Sequence, residues 1–439
     1  RFKGIMVMRA RLPGTSLVIM AMLMAGGLCA PDVRAQSTES LYEPIGHHSG
    51  GDVHAVDETP SYVVPDFAPA KPADPNKELP FFKIRLGLSL IGDWTDFSQD
   101  AVNESQIGRQ ENEFQVRSAR LSLIGSVGGD YRVSYQLSGE YKGFDTNPEQ
   151  KWKLTDASLT FPLGSRTKMT LGKTKETFSY EMVGDSANLP HSERVLTPFF
   201  TSRNFGVRFV QVLGANKAAT FSAGAYKDSW DFGSSTDRGW DYSARMTGLI
   251  WDVPDRNEFL HVGVAYRHAA ADGTIRYSGR AETNVGDVAI DTGKFAAQSS
   301  DGFAGEALLN VGPVSFLGEY ILNRTNSREF RDPVFHGWYV TGSWILTGET
   351  RPYDRNVGYA RRVIPKGRWG APELVARYSE MDLDDNGIEG GRFKKTMLGL
   401  NWWATTRWKF GATWGHTWLD RFGERGESDT VLTRIQWIY

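Results

Sequence analysis

The sequence predicts an all-β protein: a transmembrane antiparallel β-barrel of about sixteen strands, with long connections folded into its lumen. Three observations carry that expectation. Apolar and polar residues alternate in strip after strip from Phe82 to Tyr439, as side chains on a strand point to opposite faces in turn. Aromatic residues gather on the apolar side of those strips. Beyond the first segment, no apolar run is long enough for a membrane-spanning helix.

Residues 1–35 read as a secretory signal. Translation is expected to start at Met6 or Met8; Arg9 and Arg11 then precede an apolar run from Leu17 to Leu28, and Val33-Arg34-Ala35 resembles a small-residue cleavage site. The run is shorter than the ~20 residues a spanning helix needs, which argues against an anchor. The single cysteine, Cys29, falls inside this leader, so the exported chain is expected to hold no disulfide. Residues 36–80 contain seven prolines between Pro44 and Pro80 and little periodicity, and read as an extended periplasmic spacer. His47, His48 and His54 lie there without the carboxylate or cysteine spacing of a metal site.

A net charge of -2, 23% charged residues and a mean hydropathy of -0.40 resemble a water-soluble protein. They are equally what a barrel gives, because only alternate residues meet lipid. Residues 81–439 are read as that barrel. The strips, each roughly ten residues and long enough to cross a bilayer at a tilt, are Phe82–Ile91, Phe114–Gly125, Tyr131–Lys142, Trp152–Phe161, Thr167–Lys175, Asn204–Leu213, Ala218–Lys227 and Gly239–Trp251. They continue as Glu258–His268, Gly302–Val311, Pro313–Arg324, Phe335–Thr347, Ala371–Met381, Arg392–Ala404, Thr406–Trp418 and Asp429–Tyr439. In the second strip the phase slips at Arg117-Ser118, the mark of a bulge.

Tight connections at Gly214–Lys217, Gly312-Pro313 and Ala404–Thr406 suit periplasmic turns. Three connections are unusually long: Glu176–Arg203, Ala269–Asp301 and Gly348–Gly370. Structureless connectors of that length are usually functional, and folding into the lumen would use them. By strand parity the third lies on the periplasmic side. In the last strip Ile435, Trp437 and Tyr439 share a face, so the chain ends on an aromatic, like barrels recognised for outer-membrane insertion.

Several segments resemble one known family. Leu346-Thr347-Gly348-Glu349, Glu373 to Ser379, Gly390-Gly391, Leu398 to Trp403 and Arg434-Ile435-Gln436 resemble the C-terminal third of the phosphate-selective O and P porins of Gram-negative outer membranes. Upstream, Arg117-Ser118-Ala119-Arg120-Leu121 resembles that family's Arg-Arg-Ala-Arg-Leu segment. Leu171-Gly172-Lys173 with Phe178-Ser179, and Ser192-Glu193-Arg194, resemble its strand-to-loop and third-loop segments. The resemblance implies a homotrimer of sixteen-stranded barrels embedded in outer-membrane lipid. It further implies pores passing phosphate or other small anions by facilitated diffusion, with no cofactor and no nucleic-acid partner. By match it implies constriction residues at Arg117, Arg120, Arg194, Arg276 and Arg280. Ser118 stands where the family has a second arginine, and the fifth loop also carries Asp272, Glu282, Asp287 and Asp291, so a weakly selective general anion porin is the alternative.

An anion in a narrow pore loses hydration that fixed cations must replace, and arginine's planar fork matches two phosphate oxygens. Moderate sites in series serve better than one deep site, since the ion must leave. Strip parity places Lys83, Arg85, Arg120, Arg132, Lys142, Lys168, Arg208, Arg245, Arg267, Arg377, Lys409 and Arg434 on the lumen side, against Asp156, Asp241, Glu306, Glu319 and Glu373. The connector Gly348–Gly370 adds Arg351, Arg355, Arg361, Arg362, Lys366 and Arg368 against Glu349 and Asp354, a net of plus four that reads as an anion funnel.

A barrel enzyme is the remote alternative. It would need a serine, a histidine and an acid converging on the outer face, whereas His261, the clearest strand histidine, points to the lumen. Asp382 to Gly387 imitates the start of a calcium loop, but Phe393 stands where the closing glutamate belongs.

Overall fold

The computed structural model describes residues 81–128, 132–144, 151–214, 216–227 and 239–439. The leader, the spacer, Cys29, the three spacer histidines and Tyr131 lie outside the described residues. Sixteen antiparallel strands close on themselves in chain order, the last pairing back onto the first. The barrel strands are β1 (Phe82–Gln99), β2 (Glu113–Val127), β3 (Val133–Tyr141), β4 (Trp152–Pro162), β5 (Thr167–Lys175), β6 (Arg203–Leu213), β7 (Ala219–Tyr226), β8 (Asp241–Val253) and β9 (Glu258–Ala270). After two small lumen hairpins come β14 (Ser299–Val311), β15 (Val314–Asn326) and β16 (Val334–Ile345). A third hairpin precedes β19 (Ala371–Asp385), β20 (Ile388–Trp403), β21 (Trp408–Arg421) and β22 (Glu424–Ile438). Every one of the sixteen strips read from the sequence is a barrel strand. Closure leaves no unpaired sheet edge, the condition for strands to lie in lipid.

The slip at Arg117 is a true bulge: Ile91 pairs with Ser118 and Gly92 with Val116, leaving Arg117 as the extra residue. A bulge lets consecutive residues share a side, and both Arg117 and Ser118 are buried. Outward-facing aromatics form two bands, with Trp344, Trp402, Trp408 and Tyr439 toward the short-turn end and Trp94, Tyr242, Tyr266 and Tyr320 toward the loop end. Amphipathic rings at those two levels suit the two membrane–water interfaces.

The lumen has two unlike halves. Along β1–β8 the inward positions hold small polar residues, among them Ser122, Ser126, Ser134, Ser138, Thr170 and Ser222. Along β14–β20 the inward positions are mixed: Leu317, Ile321, Phe335, Tyr339, Met381 and Phe393 share one buried apolar cluster, and the charged Glu306, Glu319, Glu373 and Arg377 are buried on the same strands. Three connections fold into the lumen, as their lengths suggest, and pack on that cluster. Residues 176–202 enter from the loop end and bury Phe178, Tyr180, Leu196 and Phe199 there. Residues 271–298 add Ile275, Tyr277 and Phe295, folded as the paired strands β10 (Thr274–Ile275) with β13 (Phe295–Ala296) and β11 (Ser278–Gly279) with β12 (Ile290–Asp291). Residues 346–370 enter from the short-turn end and bring Tyr359 on the hairpin of β17 (Tyr353–Asp354) with β18 (Tyr359–Ala360).

The wall is built to accept this packing. A Cβ on Gly302 would come within 3.0 Å of the Phe178 ring, and one on Gly337 within 3.0 Å of Leu196. The glycines therefore let the first connection lie directly on the strands. Fully burying a side chain such as Phe178 contributes roughly 1.5–3 kcal/mol. Two internal connections meet where the Ala360 amide donates to the Tyr180 hydroxyl at 3.0 Å.

Candidate anion throat

Cations on the strands and carboxylates on the inward loops meet at one level of the lumen. The bulge aims Arg117 at Glu193 of the first connection, with Nε 3.0 Å from Oε1 and Nη2 3.2 Å from Oε2, a two-bond fork. Arg434 of β22 also reaches Glu193, pairs with Asp93 of β1 at 2.6 and 2.8 Å, and donates to the Ser192 carbonyl at 2.7 Å. Burial alone would push the Glu193 carboxyl up, but Arg117 and Arg434 outweigh it and hold it at about 2. Arg280, from the second connection, donates from Nε to the Gly286 carbonyl at 2.7 Å, and burial pushes its pKa down against the pull of Asp287 and Glu113.

Below this level Arg120 faces its cross-strand partner Glu140 at 3.3 Å. Arg194 donates to the Gly184 carbonyl at 3.1 Å, and Lys175 donates to the same oxygen at 3.0 Å. Burial pushes the Asp185 carboxyl up, against the opposing pull of Lys175, Arg194 and Arg120. Arg203 pairs with Asp156 at 3.1 Å. Of the five expected constriction arginines, Arg117 and Arg194 thus bond to the segment Gly184–Arg194, while Arg120 and Arg280 bond to Glu140 and the Gly286 carbonyl. The fifth, Arg276, is held apart by a fork onto Asp291 within its own connection, at 2.5 and 2.8 Å.

Among the lumen residues, Arg267 is tied to Glu176 at 2.7 Å, Asp241 at 3.2 Å and Thr201 at 2.9 Å. Arg377 is enclosed by Glu181 at 2.9 Å and Glu282 at 2.6 Å, with its guanidinium 4.0 Å from the Tyr339 ring centre. Arg245 forks onto Glu306 at 2.5 and 3.1 Å and donates to the Val357 and Gly358 carbonyls at 3.1 and 2.7 Å. These three serve as braces for the inward connections. Arg208, half-buried on β6, donates to the Lys175 carbonyl at 3.0 Å, and no described carboxylate stands within ion-pair distance of it. Lys83 and Arg85 are exposed at the short-turn end of β1, and Arg132 is half-buried where β3 begins.

The connector read as a cationic funnel is partly neutralised. Arg351 pairs with Glu373, Arg361 with Asp354, and Arg355 forks onto Asp252 at 2.7 and 2.9 Å. The Arg362 guanidinium stacks 5.5 Å from the Trp403 ring centre, and Arg368 4.8 Å from that of Trp369. Lys366 is exposed and its backbone amide donates to Glu349 at 2.9 Å. Strip parity had flagged neither Asp93 nor Glu193 as an inward acid. Asp93 lies beyond the end assigned to its strip, and Glu193 lies in a loop, where period two says nothing.

His261 faces the lumen as expected, with Nε2 2.8 Å from Glu306 and Nδ1 2.7 Å from the Tyr353 hydroxyl. It braces the hairpin of the third connection.

A sixteen-stranded barrel with aromatic outer bands and a lumen narrowed by inward loops is a porin of the bacterial outer membrane. The chain belongs to the family "phosphate-selective porin O and P", whose model matches residues 84–439. It is similar to Porin O of Pseudomonas aeruginosa, with 22% identity over 407 residues covering 82% of this chain and 89% of that protein. Its fold is similar to that of an anion-selective porin from Comamonas acidovorans, at 13% identity and a TM-score of 0.53, covering 82% of this chain and 100% of the other. It is also similar to the trimer form of OmpT from Vibrio cholerae, at 10% identity and a TM-score of 0.52, covering 82% and 99%.

Proposed function

We propose that this porin passes phosphate or similar small anions by facilitated diffusion, along a path between the hydroxyl-bearing wall of β1–β8 and the loop-filled half of the lumen. One observation carries the reading: arginines from β2, β22 and the first connection converge on Glu193 and Gly184. Guanidinium groups there would replace water lost by a phosphate oxygen, and the serine and threonine hydroxyls of the adjoining wall can donate to the same oxygens. Lys83, Arg85, Arg132 and Arg208 would extend the favourable potential toward the short-turn mouth.

Family membership supports phosphate, and the Comamonas relative's description supports anions. We further propose a homotrimer, in line with the trimer form of the Vibrio relative, and export through residues 1–35 as a cleaved signal, with residues 36–80 as a periplasmic spacer.

A weakly selective general anion porin is the second reading. It is favoured by the carboxylates already seated on Arg117, Arg120 and Arg434. Single-channel recording in planar bilayers separates the two. Phosphate preference requires anion selectivity and a chloride current that added phosphate blocks. Chloride flow that phosphate leaves unblocked would retain only the general porin, and cation selectivity would overturn both.

A further inference from the structure

Glu193 occupies the guanidinium fork that an entering anion would need. Its two carboxylate oxygens meet Nε and Nη2 of Arg117 at 3.0 and 3.2 Å, and Arg434 closes on Oε1. Arg434 is already committed to Asp93 and the Ser192 carbonyl, so it fixes Glu193 in place. Glu193 side-chain exposure is 7% and that of Arg117 is 3%, so water screens the pair little. The carboxylate has the charge and the planar two-oxygen geometry of the solute that this throat would pass.

We infer that Glu193 is a resident counter-anion that sets the selectivity of the throat by masking Arg117, so that a solute is held only weakly and can leave. This inference rests on the anion-passing reading above. A conducting site must bind well enough to admit an ion and poorly enough to release it. A fixed carboxylate achieves the second condition without thinning out the arginines. A solute carrying two charges and several oxygens competes with it better than chloride does, which would give discrimination by displacement.

The test is phosphate block of chloride current through the full chain in planar bilayers. Glu193→Gln removes the masking charge while keeping size, and the half-blocking phosphate concentration should fall roughly ten- to a hundredfold, the scale of one charge removed a few ångströms away in a partly screened site. Block that is unchanged or weaker overturns the inference, as it would if Glu193 merely held the loop in shape. Glu193→Asp keeps the charge and should block within about threefold of the native channel. Tightening there as large as in E193Q would assign the effect to loop packing and overturn it.

The paired variant R117Q/E193Q leaves no unbalanced charge and serves if E193Q does not assemble. If Arg117 is masked in the native channel, removing both groups should leave block within about threefold of native. Loss of block would show that Arg117 already binds the solute, and the masking idea would fall. Cation selectivity of the native channel would sink the anion reading itself, whereas a native anion channel with unaltered E193Q sinks only this inference.

Discussion

Asp93 and Arg434 are register partners across the seam where the last strand meets the first, and they are joined by two hydrogen bonds of 2.6 and 2.8 Å. The pair that closes the cylinder is therefore also the pair that steadies Glu193. Side chains of 4% and 2% exposure leave both charges out of bulk water. Removing one partner from such a pair leaves an uncompensated buried charge, at a cost of about 3–5 kcal/mol.

Asp93→Ala should therefore lower barrel stability by roughly that amount, because the single charge of Glu193 is already shared with Arg117 and cannot balance both guanidinium groups. The measurement is urea unfolding in detergent, with the shift of the folded gel band on heating as a second probe. A midpoint equal to the native one would show that the seam needs no ion pair.

Arg245→Met should free the hairpin of the third connection, because it removes both donors to the Val357 and Gly358 carbonyls. His261 would remain the partner of Glu306. Protease added on the short-turn side should then cut between residues 346 and 370 at least about tenfold faster, since cleavage tracks the population of the opened form. Equal cutting rates would place the hairpin's anchorage elsewhere.

Arg194→Ala should weaken phosphate block about tenfold, the order of one lost charge-assisted hydrogen bond. It donates to Gly184 beside Lys175, so channel formation should survive. Unchanged block removes Arg194 from the throat.

Acid should loosen the first connection through His191. Burial, with Arg377 adding to it, pushes its pKa down to about 3, against the pull of Glu181 3.1 Å away. The unfolded chain takes up the proton near pH ~6.5. The folded value is depressed, so the unfolded state binds more protons over the interval between. The contribution of His191 is then complete above ~6.5 and declines as pH falls toward 3. Between pH 7 and 5 the Glu193 carboxylate stays ionised, its own contribution declining only below ~4.3 and vanishing as pH falls through about 2. Stability measured from pH 7 to 5 should fall, and His191→Asn should flatten that fall. An equal slope in the variant would clear His191 of the effect.

Period two made the strands legible because every barrel strand meets apolar surroundings on at least its outer face. Strand ends are not marked by the period where polar residues continue past the bilayer. The first strip was read to Ile91, and β1 runs on to Gln99. The contents of the lumen were not legible. Leu317 and Ile321 face inward while Phe316 and Tyr320 face outward, so apolar residues stand on both sides of β15, and alternation alone cannot distinguish lipid from a packed loop. Arginine positions could be read from parity, but their partners could not. Arg117 and Glu193 are 76 residues apart, and Arg377 and Glu181 are 196. Such pairs depend on how a connection folds back, which no local pattern encodes. A tally of charges along residues 348–370 overstated the free positive charge for the same reason.

The contact between Tyr180 and Ala360 joins a segment that hangs from the cell-facing-out rim to one that rises from the opposite rim. Pulling on either would be felt by the other. The packing inside the cylinder is thereby one continuous body from rim to rim, anchored at both ends.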